Sequence, residues 1–340
     1  MTTPPGLDLS RLAEYLAAKA PGLLDEPLSA ELIAGGRSNL TYILNHVFVL
    51  RRPPLGHVLA TAHDMAREFR VLSALGPTAV PVPETLLLCE DDSVLGAPFY
   101  LMARVPGTVL RRRSETDPLG DVVRQEIAFA MMDTLAVLHG VEPASVGLAD
   151  FGRPDGFLER QVRRWAGQLE RSRSRDLPGA DELRDRLAAS VPSSPSPAIV
   201  HGDYRLDNLI VDLDARRIAA VLDWEMATLG DPLTDLGLFI AYWDVMSELR
   251  TENPVADGLG PNAGFPPGSA LLERYARTSP VQLRDLHWYV GLACYKLAVV
   301  LEGIHFRYTK GKTVGAGFEG IGALVPPLLR HGLTAINGES

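Results

Sequence analysis

The sequence HGDYRLDN (201–208) is followed directly by an apolar run, LIVDL (209–213), and a second apolar run, IAAVL (218–222), leads into Asp223. The residues between the two runs, DARR (214–217), are typical of a turn. Two short runs of strand-forming residues around a turn predict an antiparallel β-hairpin. The polar residues therefore lie at one end of two buried strands. Burying polar groups there is unfavourable unless they have binding partners.

The register of this hairpin predicts which polar residues meet. If the turn is centred between residues 215 and 216, Asn208 lies opposite Asp223, and opposed Cα atoms in an antiparallel pair are about 4.5–5.5 Å apart. One carboxylate and one amide oxygen suit a Mg²⁺ ion that is also held by the phosphates of a substrate. Asp203 lies five positions before Asn208 and could reach the same place.

Structural roles for the same residues stay open, because Asp and Asn at strand ends are common turn formers. We expect His201 to be a packed histidine that braces the loop, and Asp207 to face solvent or cap the turn. The complete pattern, H-x-D-x-x-x-x-N followed by Asp223, is much more specific than any of its parts.

Composition limits the classes of function. The chain has 340 residues, 46% of them apolar, which suggests two domains or one two-lobed domain. A net charge of −9 argues against a nucleic-acid partner. Two separated cysteines and the lack of a signal-peptide pattern favour a cytoplasmic protein. The longest apolar region (290–304) contains Lys296 and Glu302, which predicts a buried helix and no membrane partner.

The first third of the chain predicts a small, mostly antiparallel sheet that carries one helix. Its predicted elements are a leading helix (9–20), a strand (28–34), a glycine-led loop (35–39), a hairpin (41–50), a helix (60–75) and two strands (84–90 and 97–105). Pro106 and Gly107 are the predicted hinge, and mainly helical signals follow it. We therefore predict an N-lobe at 1–104 and a C-lobe at 105–340.

HGDYRLDN together with VLDWEMATLGDPLTDLG (221–237) resembles the aminoglycoside phosphotransferase-like family, and in particular the kinase-like domains associated with acyl-CoA dehydrogenases. The resemblance extends over residues 28–330. It implies an α+β, two-lobed protein-kinase-like fold with a small antiparallel-sheet N-lobe, a mainly helical C-lobe and ATP in the cleft.

The resemblance also implies roles for the residues of the motif. Asp203 corresponds to the catalytic base that orients the acceptor hydroxyl group, and Asn208 and Asp223 correspond to the two metal ligands. Asp235 corresponds to a structural residue that braces the catalytic loop. Arg205 stands where protein kinases have a catalytic-loop Lys, so contact with the transferred phosphate and an ordinary salt bridge are both open for it.

The resemblance places nucleotide-binding residues in the first third of the chain. They are Gly36, Ser38 and Asn39 of the phosphate-covering loop, Arg51 in the position that is usually Lys, Glu68 as the helix partner of that cation, and the segment from Met102 to Val105 beside adenine. Arg keeps the charge and can donate two hydrogen bonds to phosphate oxygens. Arg52 should face the opposite side of its strand, because side chains alternate.

The predicted activity is Mg²⁺-dependent transfer of the γ-phosphate of ATP to a hydroxyl group of a small molecule. Lys296 and Arg307 are eleven residues apart, and thus within about 20° on one helix face. If that face lines the acceptor site, it favours an anionic acceptor such as a hydroxyacyl compound; a solvated or core-bracing helix face stays equally open. Two alternatives stay open: an aminoglycoside O-phosphotransferase, and a nucleotide-binding pseudokinase, which the unusual Arg51 motivates. The sequence gives no indication of the oligomeric state.

Overall fold

The computed structural model describes residues 4–24, 26–33, 39–55, 64–194, 196–249, 259–313 and 317–338. Internal contacts divide the chain into two compact units. The first unit contains Met1–Gly107 and Ala219–Met226, and the second contains Thr108–Ile218 and Ala227–Ser340. The lobe boundary after residue 104 stays a prediction, and the first unit also includes a later segment that carries Asp223.

The first unit is built on a five-stranded antiparallel sheet in the order β1-β2-β3-β5-β4. Its strands are β1 (Ala30–Leu32), β2 (Leu40–Leu44), β3 (Phe48–Arg52), β4 (Thr85–Cys89) and β5 (Phe99–Ala103), and its helices are α1 (Leu9–Lys19), α2 (Met65–Leu75) and α3 (Asp92–Leu95). The predicted antiparallel sheet is confirmed. The helix predicted at 60–75 begins at Met65, after the N-cap Asp64.

The hairpin predicted at 41–50 is present as β2 and β3, with Leu44 paired to Phe48. Its turn residues Asn45 and His46 both have positive φ values, 46° and 58°. Two consecutive left-handed residues form a type I′ turn, whose twist matches that of the flanking strands.

Alternation along β3 separates its two arginines. Tyr42, Leu50 and Leu101 are paired across the sheet and belong to the core beside α1. Arg51 is paired with Tyr100 on the opposite face, where α2 packs. The predicted divergence of Arg51 and Arg52 is confirmed, since Arg52 donates hydrogen bonds to the carbonyl oxygens of Gly6 and Leu95.

The second unit is mainly helical. Its helices are α4 (Arg113–Thr116), α5 (Asp121–His139), α6 (Phe157–Ser172), α7 (Ala180–Ala189), α8 (Leu233–Ile240), α9 (Gly268–Thr278), α10 (Leu286–Thr309) and α11 (Val325–Ile336). A π-helical segment, Ala241–Met246, continues α8. The remaining strands are β6 (Ala198–Val200), β7 (Leu209–Asp212), β8 (Arg217–Val221), which runs on into the first unit, and β9 (Thr228–Gly230).

The hairpin predicted from the apolar runs at 209–213 and 218–222 is present. β7 and β8 form a two-stranded sheet, and β6 pairs antiparallel with β9. Arg216 in the β7–β8 turn has a φ of 54°. The register that sets Asn208 opposite Asp223 stays a prediction.

The helix α10 is long and apolar enough to cross a membrane, the one such helix within the described ranges. It packs against α11, α8 and α6, and 67% of its most apolar window is buried inside the protein. The core helix of a folded domain has the same properties.

Candidate active site

The loop 201–208 connects β6 to β7, and its backbone is held by side chains from distant helices. The carboxylate of Asp235, in the first turn of α8, accepts hydrogen bonds from the backbone N–H groups of His201 (2.7 Å) and Gly202 (2.8 Å). Gly202 has a φ of 81°, a conformation that favours glycine. The predicted brace by Asp235 is therefore confirmed.

Asp235 is itself fully buried and receives a third hydrogen bond. His139 Nε2 lies 3.2 Å from its Oδ2 atom, and His139 Nδ1 lies 2.7 Å from the hydroxyl of Tyr275. Burial raises the pKa of Asp235, but the hydrogen bonds and charges of its neighbours lower it more, so the net pKa is lowered. The brace is thus held as a carboxylate with two acceptor oxygens, as the loop requires.

Within the loop, three further hydrogen bonds orient Asp203. The imidazole Nδ1 of His201, which is buried, accepts from the backbone N–H of Asp203 at 3.2 Å. Asn208 Nδ2 donates to the backbone carbonyl of Asp203 at 2.9 Å and to its carboxylate at 3.0 Å. His201 is the packed, bracing histidine that the sequence predicts, and the half-buried Asp203 carboxylate has a defined position.

Arg205, the arginine of the loop 201–208, already has partners within the second unit. Arg205 forms an ion pair with Asp207, and its guanidinium lies 4.5 Å from the ring centroid of Tyr242 in the π-helical segment. The Asp207 side chain is partly exposed, in line with the expectation that it faces solvent, and it also pairs with Arg205. A salt bridge was one of the two roles expected for Arg205, and its contact with phosphate stays a prediction.

The first unit contains a second charged cluster, centred on Arg51. Its Nε atom lies 2.9 Å from Glu68 Oε2. Its Nη2 atom pairs with the Asp223 carboxylate and lies 3.8 Å from Glu225 Oε2. The predicted pairing of Arg51 with Glu68 is confirmed. Burial lowers the pKa of Arg51, but these carboxylates raise it more, so the guanidinium stays charged.

Glu68 is the most buried member of this cluster. Its Oε2 atom accepts a hydrogen bond from the Tyr100 hydroxyl at 3.0 Å, and its Oε1 atom accepts one from Asn39 Nδ2 at 3.2 Å. Burial raises its pKa above the ordinary value, opposed by Arg51 and reinforced by Asp223. The buried Glu68 carboxylate therefore needs the positive charge of Arg51 beside it to stay ionised.

Glu225 is the member that sequence reasoning missed. Its Oε2 atom accepts a hydrogen bond from Asn39 Nδ2 at 3.1 Å, across 186 residues of sequence. Its position two residues after Asp223 was a usable signal, since side chains two residues apart can share a direction. Asn39, predicted to bind phosphate, is buried, with its amide between Glu68 and Glu225.

Asn208 and Asp223 each carry an oxygen donor of the kind that Mg²⁺ prefers. Both hydrogen bonds from the Asn208 side chain leave its Nδ2 atom, so Oδ1 is the atom that can serve as a ligand. Asp223 is partly exposed and has a φ of 65°, a conformation that Asp adopts more readily than most residues. Among the described residues, no three His, Cys, Asp or Glu side chains form a group that could hold a metal ion.

Of the other residues predicted to contact a nucleotide, the structure describes two and leaves two outside its described ranges. Gly36 and Ser38 lie outside the described residues. Met102 is a buried residue of β5, whereas Val105 is half-buried and lies beyond the last sheet hydrogen bond, from Arg104 N to Val47 O. The roles of all these residues toward a nucleotide stay predictions.

Arg51→Met is expected to lower the free energy of unfolding by about 3 kcal/mol, because it leaves Glu68, whose side chain is 1% exposed, without its cation. Adding Glu68→Gln should recover much of the loss, since a neutral amide is easier to bury and still accepts from Tyr100. Urea denaturation of the single and double variants measures both effects. Arg11→Met, which removes an exposed pair with Asp8, is the control and should change stability by less than about 1 kcal/mol. An Arg51→Met protein as stable as wild type would contradict the argument.

Comparison with known proteins places this geometry in a family. The phosphotransferase enzyme family matches residues 29–267. Acyl-CoA dehydrogenase family member 11 from Gallus gallus is 33% identical over 337 residues, covering 96% of this chain but 43% of that protein. The chain therefore spans less than half the length of this curated relative.

Solved structures agree on the fold. A crystal structure from Ralstonia eutropha, provisionally named an aminoglycoside phosphotransferase, is 31% identical with a TM-score of 0.83, covering 97% of this chain and 98% of that one. The GDP complex of aminoglycoside 2'-phosphotransferase-IIIa is 14% identical with a TM-score of 0.63, covering 98% of this chain and all of that one. The predicted kinase-like α+β fold is confirmed.

Proposed function

Because this chain belongs to the phosphotransferase enzyme family, we propose that it is a Mg²⁺-dependent small-molecule kinase that transfers the γ-phosphate of ATP to a hydroxyl group. The observation that carries the proposal is the placement of Asp203. Its backbone N–H is held by His201, and its carboxylate is held by Asn208. A carboxylate fixed in this way suits a base that orients an attacking hydroxyl group.

Different residues of the chain would serve the phosphate side and the acceptor side of the reaction. Arg51 and Asp223 would carry the phosphate-side charges, with Glu68 holding the guanidinium in place. Asp203 would accept a hydrogen bond from the acceptor hydroxyl and take its proton as the new P–O bond forms and the bond from the γ-phosphorus to ADP breaks. Bound Mg²⁺, held by Asn208 and Asp223, would neutralise charge on the phosphates. The GDP bound by the fold neighbour supports a purine nucleotide.

The charges near Asp203 support an anionic acceptor. Burial lowers the pKa of Lys296 and Asp203 raises it, so the ammonium lies within electrostatic reach of that carboxylate. Arg164 lies close enough to lower the pKa of Lys296 further, and no ion pair to Arg164 occurs among the described residues. Both cations face the Trp165 ring, at 5.3 Å for Arg164 and 5.6 Å for Lys296. Arg307, the other residue of the predicted basic face, is exposed.

A hydroxyacyl compound with a carboxylate or phosphate group meets this requirement. The relative from Gallus gallus is named as an acyl-CoA dehydrogenase family member, which is consistent with acyl chemistry. Aminoglycosides are polycations and would favour carboxylates where this chain has Arg164 and Lys296. The hydroxyacyl acceptor is therefore the first choice, and the aminoglycoside the alternative.

A panel of acceptors tests this choice. With Mg²⁺ and ATP or GTP, hydroxyacyl-CoA thioesters should be phosphorylated at far higher kcat/KM than kanamycin-type compounds. Arg164→Glu should raise the KM for the anionic acceptor about tenfold, since reversing an exposed charge changes binding by about 1–2 kcal/mol. Arg163→Glu, an exposed neighbour on the same helix, is the matched control and should leave KM unchanged. Efficient turnover of kanamycin, improved by Arg164→Glu, would reverse the assignment.

The pseudokinase alternative is motivated by Arg51, whose guanidinium is shared among Glu68, Asp223 and Glu225. In that case the protein would bind ATP without consuming it. EDTA-sensitive conversion of ATP to ADP distinguishes the two functions: a kinase consumes ATP only with Mg²⁺. Nucleotide binding without any turnover across the panel would favour the pseudokinase.

A further inference from the structure

The ammonium group of Lys296 reaches the loop that carries Asp203 from the middle of α10. Its Nζ atom donates a hydrogen bond to the backbone carbonyl of Gly202 at 2.8 Å, across 94 residues of sequence. The same ammonium lies 5.6 Å from the centroid of the Trp165 ring. Burying a lysine in this helix costs desolvation energy, and the hydrogen bond to Gly202 offsets part of that cost.

The peptide between Gly202 and Asp203 is held at both of its polar groups. Lys296 binds its carbonyl oxygen, and the His201 imidazole binds its N–H group. Asp235 holds the preceding peptide through the Gly202 N–H. The three side chains come from three different elements, α10, the loop itself and α8.

Gly202 is the residue at which this peptide could most easily rotate. Its φ of 81° is open to glycine at little cost, and a glycine also has access to many neighbouring conformations. Asp235 holds the N–H side of Gly202 only, so the orientation of the next peptide plane depends on two other hydrogen bonds, from its N–H group to His201 and from Lys296 to its carbonyl oxygen. The hydrogen bond from Lys296 selects one orientation of that plane, and the plane sets the direction of the Asp203 side chain.

We propose that Lys296 is a positioning residue for the catalytic base: its ammonium fixes the Gly202 carbonyl and so aims the Asp203 carboxylate. The inference rests on the proposed function, because it needs Asp203 to act in phosphoryl transfer. A charged donor suits this purpose, since charge-assisted hydrogen bonds are roughly twice as strong as neutral ones. Misplacing a reacting group by about 1 Å can cost about 10²-fold in rate.

Lys296→Met removes the donor and keeps the length of the stem. We expect kcat for phosphoryl transfer from Mg²⁺-ATP to fall about 10- to 100-fold, while the KM for ATP stays within about twofold, because the nucleotide contacts proposed above lie elsewhere in the chain. Lys296→Arg, which keeps a charged donor, should recover part of the lost kcat. Lys310→Met, at the exposed C-terminal end of the same helix, should match wild type.

Hydrogen exchange separates failure of this inference from failure of the proposed function. In Lys296→Met, a peptide covering residues 201–208 should exchange faster than in wild type, whether or not an acceptor is known. Wild-type protein without any ATP turnover would overturn the kinase proposal. An active wild type, with a folded Lys296→Met variant whose kcat and loop exchange are unchanged, would overturn the role of Lys296 alone.

Discussion

Replacing Asp203 with Asn is expected to lower kcat about 10³-fold while the affinity for ATP changes less than about twofold. A positioned general base contributes about 10²- to 10⁴-fold to a rate. An amide at residue 203 can still accept a hydrogen bond from Asn208, so the loop should keep its conformation. Steady-state kinetics with the best acceptor of the panel measures kcat, and titration calorimetry measures nucleotide affinity.

Asp214→Asn is the matched control for this experiment. Asp214 is an exposed carboxylate in the turn of the same hairpin, and its replacement should leave both kcat and stability unchanged. Thermal denaturation of both variants reports whether the fold survives. Wild-type turnover by a folded Asp203→Asn protein would remove Asp203 from the catalytic role.

Replacing Asp223 with Asn is expected to lower kcat about 10³-fold as well, equivalent to about 4 kcal/mol of transition-state stabilisation. The reason differs: the neutral amide is a poorer ligand for Mg²⁺, so the concentration of Mg²⁺ needed for half-maximal rate should rise at least about tenfold. Asn also tolerates the left-handed backbone that Asp223 adopts, so the substitution should not strain the chain.

Glu90→Gln provides the comparison within the same unit, since Glu90 is an exposed carboxylate just after the end of β4. Its Mg²⁺ titration should superimpose on that of wild type. Asp203→Asn should also keep the wild-type Mg²⁺ midpoint, despite its low kcat. An Asp223→Asn protein with an unchanged Mg²⁺ requirement would show that this carboxylate does not bind the metal.

Local features of the site were accessible from sequence because local rules determine them. The Asn45-His46 turn between strand-forming runs defines the β2–β3 hairpin, and period-two alternation separates Arg51 from Arg52. The motif at 201–208 identified the loop and the histidine that braces it in the same way. The start of α2 at Met65 was missed because apolar spacing alone extends the helix past the Asp64 cap.

The atomic contacts between residues distant in sequence became visible only in the tertiary structure. Asp235 was expected as a brace through the family resemblance, but its two acceptor bonds to the loop backbone were not predictable. The reach of Lys296 to Gly202 and the link from Asn39 to Glu225 depend on how helices and sheet pack, over 94 and 186 residues.

The sequence by itself thus predicted the secondary structure around the site, the kinase-like fold, and Glu68, Asp203, Asp223 and Asp235 among the acidic residues. Only the tertiary structure added Lys296 as a further support of the Asp203 loop, and Glu225 as a member of the cluster at Arg51. The physical reason is range. Turn chemistry and alternation act over a few residues, whereas the direction of a buried side chain follows from packing among elements that the chain brings together only on folding.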